Sequence, residues 1–188
     1  MTLHAPAIPP KPAGFILEEW ADRFKLGRLP PKVYRASLAE DGRLAPLLAY
    51  VNGPHYAADK RAGIGVHLYG DTTSRLAGFP CLCRAMILKH DNVLYISLVD
   101  LLHALTEDKH PLADDIDDAA ALFVTGMHDD FDFPFTGYQR YVVQNFLTRR
   151  FERGQRNCYS TSEASLPVTW WSSEFIAYQS QHVRHLKV

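Results

Sequence analysis

Thr136-Gly137-Tyr138-Gln139 opens the one segment whose local structure the residue order nearly dictates. The Thr136 hydroxyl can accept from the Gln139 amide, and the Gln139 side chain can reach back to the Thr136 amide, a reciprocal cap that starts a helix. Val142, Val143, Phe146, Leu147 and Phe151 then recur at helical spacing, and Arg149, Arg150 and Arg153 sit in the last turns, where the helix dipole favours cations. The spacing therefore predicts a long helix from about 137 to 153. Arg140 is the exception, because a cation in the first turn opposes the dipole and needs an anion. Asp129, Asp130 or Asp132 could supply one by ion pairing, or a bound phosphate could, with Gly137 leaving the helix amides open to it.

Around this helix the chain reads as a mixture of strands and helices. Ile16, Leu17, Trp20 and Phe24 predict an amphipathic helix that stops at Gly27, before Pro30 and Pro31. Residues 33–38 alternate as a strand, 43–51 suit a strand or a short helix, and 52–65 read as a glycine-rich, charged loop. VHLYGDTT is a strand ending in a turn. Residues 81–105 predict two strands joined by a turn at His90-Asp91-Asn92, the second running into a helix through Leu98, Leu101, Leu102 and Leu105. Residues 114–127 suit a helix with acids in its first turn, 157–165 a polar bridge, and 166–179 a strand or turn. The expected fold class is α+β, a mixed sheet with flanking helices: one domain over 15–188 behind a proline-rich arm at 1–14.

Charge limits the functions open to the chain. Its formal net charge of -1 excludes a uniformly basic nucleic-acid coat. The balance is uneven: nine acids between Glu107 and Asp132 face Lys109 alone, whereas the segment from Arg140 onward is net positive. Cys81, Cys83 and Cys158 suggest no disulfide framework and no zinc-finger spacing, which suits a reducing compartment. The sequence suggests no signal peptide and no spanning helix, so the expected location is the cytoplasm. Gly63-Ile64-Gly65 is followed by no Gly-Lys-Ser/Thr, which speaks against a P-loop protein. Trp170 and Trp171 could stack unpaired bases or enter the core, and the His182, Arg184, His185, Lys187 tail suits a phosphate backbone or plain solubility.

Gly137-x-x-Arg140 at a helix start, preceded by the strand-to-helix unit LYISLVDLLHAL, resembles the G-x-x-R signature of the ParB/sulfiredoxin fold. Together with PAGFILEEWADRF and the chain length it resembles the plasmid fertility inhibition factors of the Osa type. Tyr138 and Gln139 in the sulfiredoxin cysteine region argue against sulfinic-acid reduction. The resemblance implies an ATP-linked DNase that blocks DNA transfer through a type IV secretion system. On that basis Thr136, Gly137 and Arg140 would hold nucleotide phosphate, and Asp129, Asp130, Asp132 and His128 would join Arg140 in catalysis. Asp130 and Asp132 would hold a divalent cation such as Mg²⁺, and Arg149, Arg150 and Arg153 would face DNA. The implied partners are transfer-intermediate DNA and a secretion coupling ATPase, which would bring the protein to the inner membrane's periphery. The alternative is a non-catalytic inhibitor that binds the coupling protein or its DNA–protein substrate.

Overall fold

The computed structural model describes residues 13–39, 41–127 and 135–188. Five short strands, β1 (Gly65–Tyr69), β2 (Val93–Ser97), β3 (Ala121–Thr125), β4 (Arg156–Thr161) and β5 (Val183–Lys187), pair in the order β2-β3-β4-β1-β5. Every pairing is parallel. The sheet is thus not the mixed one the sequence suggested. Parallel strands need crossover connections, and these place helices on both faces, so the strands are buried on both sides. β1, β3 and β4 are buried almost throughout.

One face is covered by α1 (Ala13–Leu26), α2 (Ala45–Asn52), α3 (Pro54–Ala62) and α4 (Thr72–Leu88), which pack on Val66, Leu68, Val93, Phe123 and Cys158. The opposite face carries α5 (Leu98–Thr106), α6 (Ala113–Asp118), α7 (Gly137–Glu152) and α8 (Ser173–Gln181) against Leu94, Ile96, Leu122, Val124 and Tyr159. The chain passes from β1 through α4 to the far edge at β2, then returns through β3 and β4 and steps over β1 to β5. Those reversals put a topological switch point between β1 and β4, the place in open α/β sheets where ligands gather at the carboxyl ends of strands.

Several sequence expectations change for identifiable reasons. Residues 33–38 form no strand: Pro30 and Pro31 set up a single 3-10 turn over Pro31–Val33. The supposed loop at 52–65 contains α3, entered through Pro54 at a position helices tolerate and ended by Gly63 at φ +70. Residues 81–88 belong to α4, buried on so many sides that its apolar run imitates a strand. The 114–127 segment splits into α6 and β3, and 166–179 yields α8, capped by Ser172. The helix from Gly137, with both halves of its capping box, is where the sequence put it.

β4 was read as a polar bridge because it spells RNCYST, yet all six residues are buried. The side chains of Arg156, Asn157 and Thr161 find partners inside the fold, whereas the Tyr159 hydroxyl has none among the described residues. The Arg150 guanidinium, 0% exposed, donates to Asn157 Oδ1 at 2.9 Å and to the Ile116 and Ala119 carbonyl oxygens at 2.7 Å each. Asn157 in turn donates to the Leu147 carbonyl oxygen at 2.9 Å. Burial lowers the Arg150 pKa to about 10, still far above neutral pH, so the group stays charged. At the opposite face, Arg156 donates to Asp91 Oδ2 at 2.6 Å, Tyr56 adds a hydroxyl to the same oxygen at 2.5 Å, and Lys60 pairs with the other oxygen. Burial would raise the Asp91 carboxyl, but Lys60, Tyr56 and Arg156 together hold it below its ordinary value.

His67 on β1 lies beside Tyr159 of β4 and His185 of β5 in register. Its Nε2 donates to Thr161 Oγ1 at 2.5 Å, whose own proton goes to the Glu163 carbonyl oxygen. Burial, with the neighbouring His185 charge second, lowers the His67 pKa to about 4.

Two predictions follow from these buried groups. Arg150→Leu leaves two carbonyls and Asn157 without donors, and should lower unfolding free energy in urea by about 3 kcal/mol or more. His67 behaves as a base whose folded pKa lies below its unfolded one, so its contribution is present above pH 6.5 and is lost as pH falls toward 4. Thermal unfolding over that window should show a loss of about 3 kcal/mol in the wild type and a shallower slope in His67→Gln.

Candidate functional site

At the carboxyl ends of the strands, on the α4 side of the sheet, lies a cavity of about 270 Å³. Thr72, Arg75, Leu76, Phe79 and Pro80 of α4 line it together with Tyr95, Thr125, Gly126 and Ser160 from the ends of β2, β3 and β4. The connection leading into it from β1 is two residues long, Gly70 and Asp71. Gly70 has φ +136, and a Cβ on it would stand 1.9 Å from the Val188 carbonyl oxygen, because the chain beyond β5 runs against it. Asp71 adopts an extended N-cap conformation and accepts from the Ser74 amide at 2.9 Å. Hydrogen bonds from Ser74 hold its carboxyl below the usual range. Arg75 folds back to donate to the Gly70 carbonyl oxygen at 3.0 Å and to Thr72 Oγ1 at 3.3 Å.

A second locus sits on the other face, at the start of α7. Phe135, Arg140, Val143, Trp170 and Trp171 surround a small cleft there with Leu98, Gly126 and Met127. The Arg140 guanidinium carbon lies 5.9 Å from the centre of the Trp170 ring, and Nη1 reaches the Thr169 carbonyl oxygen at 3.4 Å. Its first-turn charge is thus met by a π face and a carbonyl dipole rather than by a carboxylate of the described residues. Trp171 is buried against Phe175, while Trp170 remains partly open.

The sequence-derived candidates scatter over these two faces and the core. Thr136, Gly137 and Arg140 are together at the α7 start, with Thr136 and Gln139 engaged in the capping box. Arg150 is sealed in the core and cannot touch DNA. Arg153 donates to Asp117 Oδ1 at 2.8 Å, and Arg149 stands exposed one turn earlier. His128, Asp129, Asp130 and Asp132 lie outside the described residues. Among the described residues no group of three or more His, Cys, Asp or Glu side chains comes together as a metal site, and no helix is long and apolar enough to cross a membrane. Sequence reasoning passed over the Gly70–Asp71 connection, since it lacks the glycine-rich signature that would have marked it.

The all-parallel five-stranded sheet with helices on both faces is similar in fold to several solved replication proteins. The DnaC helicase loader superposes with a TM-score of 0.65 and 13% identity over 85% of this chain and 99% of its own. DnaI gives 0.62 and 12% over 87% and 96%. Replication initiator DnaA, in a structure with AMPPCP and single-stranded DNA, gives 0.59 and 11% over 85% of this chain and 51% of its own, so the chain spans about half of DnaA. No protein-family model matches the chain, and no curated protein matches it.

These likenesses overturn the ParB/sulfiredoxin assignment, and with it the reading as an Osa-type fertility inhibition factor of conjugation. Nothing in them supports a DNase or a secretion coupling ATPase as partner.

Whether the chain can hold the nucleotide its fold class implies is a question for the β1–α4 connection. A triphosphate in such folds rests on a glycine-rich loop between strand and helix, whose amides, lysine and hydroxyl surround the phosphates. Here the loop is two residues, no lysine opens α4, and the Asp71 carboxylate already occupies the helix start with a negative charge. Among the described residues, the cavity lining contains no carboxylate to hold a hard divalent cation. The described residues do not fit a Mg²⁺–triphosphate. Gly70→Ala, which forces a side chain into both a positive φ and the Val188 backbone, should cost about 2 kcal/mol or more in chemical denaturation.

Proposed function

We propose that this chain is a nucleotide-independent accessory protein of DNA replication, which assembles with replication proteins or DNA through a fold of the helicase-loader type. The observation that carries the reading is the conjunction at β1 and α4. The architecture spans nearly the whole of a DnaC helicase loader, whereas the connection that would hold phosphate is shortened and capped by Asp71. A protein built this way has kept the scaffold and lost the means to spend ATP, so its activity lies in what its surfaces bind. ATP hydrolysis, which the fold class would otherwise suggest, has no support in the residues of this site.

The test is a pair of measurements on the purified chain. Millimolar AMPPCP with Mg²⁺ should leave the melting temperature unchanged, since a ligand without affinity for the folded state contributes no stabilisation. A saturable rise in melting temperature would overturn nucleotide independence. Co-purification with a replicative helicase should be insensitive to added ATP, and failure to retain any helicase would remove the loader-type reading.

A further inference from the structure

α7 presents to solvent a face that core packing does not explain. Val143, Leu147, Arg150 and Phe151 turn inward, while Tyr138 and Tyr141 remain 71% and 63% exposed. At 3.6 residues per turn, Tyr138, Tyr141, Asn145 and Arg149 follow one another along the outer side, a stripe about 21 Å long that ends at Glu152. Arg149 is exposed and has no ion pair among the described residues, in contrast to Arg153, which Asp117 holds. Arg140 and the partly open Trp170 flank the same end, with Val168 77% exposed beside them in sequence.

Two large rings left in water, bordered by arginines that no carboxylate of the described residues neutralises, are the chemistry of a stacking platform for unpaired bases. We infer that the outer face of α7 binds single-stranded DNA, with bases stacked on Tyr138 and Tyr141 and backbone phosphates met by Arg149 and Arg140. The two tyrosines are surface neighbours at i and i+3, about 5–6 Å apart at their Cβ atoms, and so can take adjacent bases. A duplex hides its base faces in the stack and gains only the phosphate contacts. Tyrosine and arginine also serve protein interfaces, so a protein partner is the outcome the oligonucleotide test must separate from base stacking. This inference rests on the replication reading only for the kind of nucleic acid the chain would meet; the platform itself rests on α7.

The experiment is fluorescence anisotropy with a fluorescein-labelled oligo-dT of about 20 nucleotides, using the full chain. Tyr138→Ala/Tyr141→Ala should weaken binding at least about tenfold, since each stacked base contributes roughly 1–3 kcal/mol. Tyr138→Phe/Tyr141→Phe, which keeps the rings, should retain it. Arg149→Ala should reduce the dependence of log affinity on log salt by about 0.7, the share of one phosphate contact on a single strand. A duplex of equal length should bind more weakly than the single strand. Both tyrosines face solvent, so circular dichroism should show unchanged folding in every variant. No binding by the wild type, or equal binding by the double alanine variant, would overturn the inference. A chain that retains helicase but ignores the oligonucleotide would sink the platform and leave the replication reading intact. The reverse result would do the opposite.

Discussion

One guanidinium ties together the half of the molecule that follows β2. Arg150 projects from the last turns of α7 into a space closed by the end of α6, the Ala119 backbone and Asn157 of β4, and it satisfies a polar group from each. A central strand that carries Arg156, Asn157, Ser160 and Thr161 could not be buried on both faces without such partners, because each unpaired polar group would cost on the order of 1–3 kcal/mol. Arg150 therefore does more than fill volume. It sets where α7 lies against the sheet, and that placement turns Tyr138 and Tyr141 outward and Arg140 toward Trp170.

The same sheet divides the chemistry of the protein between two faces. On the α4 face, the cavity at the strand ends is where an open α/β fold gathers ligands, and there the Asp71 carboxylate caps the start of α4 while Arg75 braces the turn. On the α7 face, no carboxylate of the described residues caps the helix start in the same way. The likeness to helicase loaders and to DnaA is a likeness of scaffold, and the local residues decide what the scaffold can do.

Legibility from sequence varied with how local the deciding forces were. The α7 start could be read because Thr136 and Gln139 cap each other within four residues, and β1, β2 and α5 could be read from short apolar runs beside turn residues. α4 was mistaken for a strand over 81–88 because a helix buried on most sides loses the period that identifies it. β4 was missed because its polar side chains look solvated until Asp91, Arg150 and His67 are brought to them from positions up to 94 residues away in sequence. Gly137 and Arg140 do not specify a fold family, because any helix start can produce a pair at that spacing.

What the sequence by itself determined about this protein is its set of local boundaries: the capping box at Thr136 and the breaks at Gly27 and Pro30. These depend on residues within a few positions of one another, where covalent geometry and short hydrogen bonds leave little choice. Only the tertiary structure decided that all five strands run parallel and that Arg150 belongs to the core. Those outcomes depend on which distant segments come together to satisfy buried polar groups and cover both faces of a sheet, and no periodicity along the chain records that.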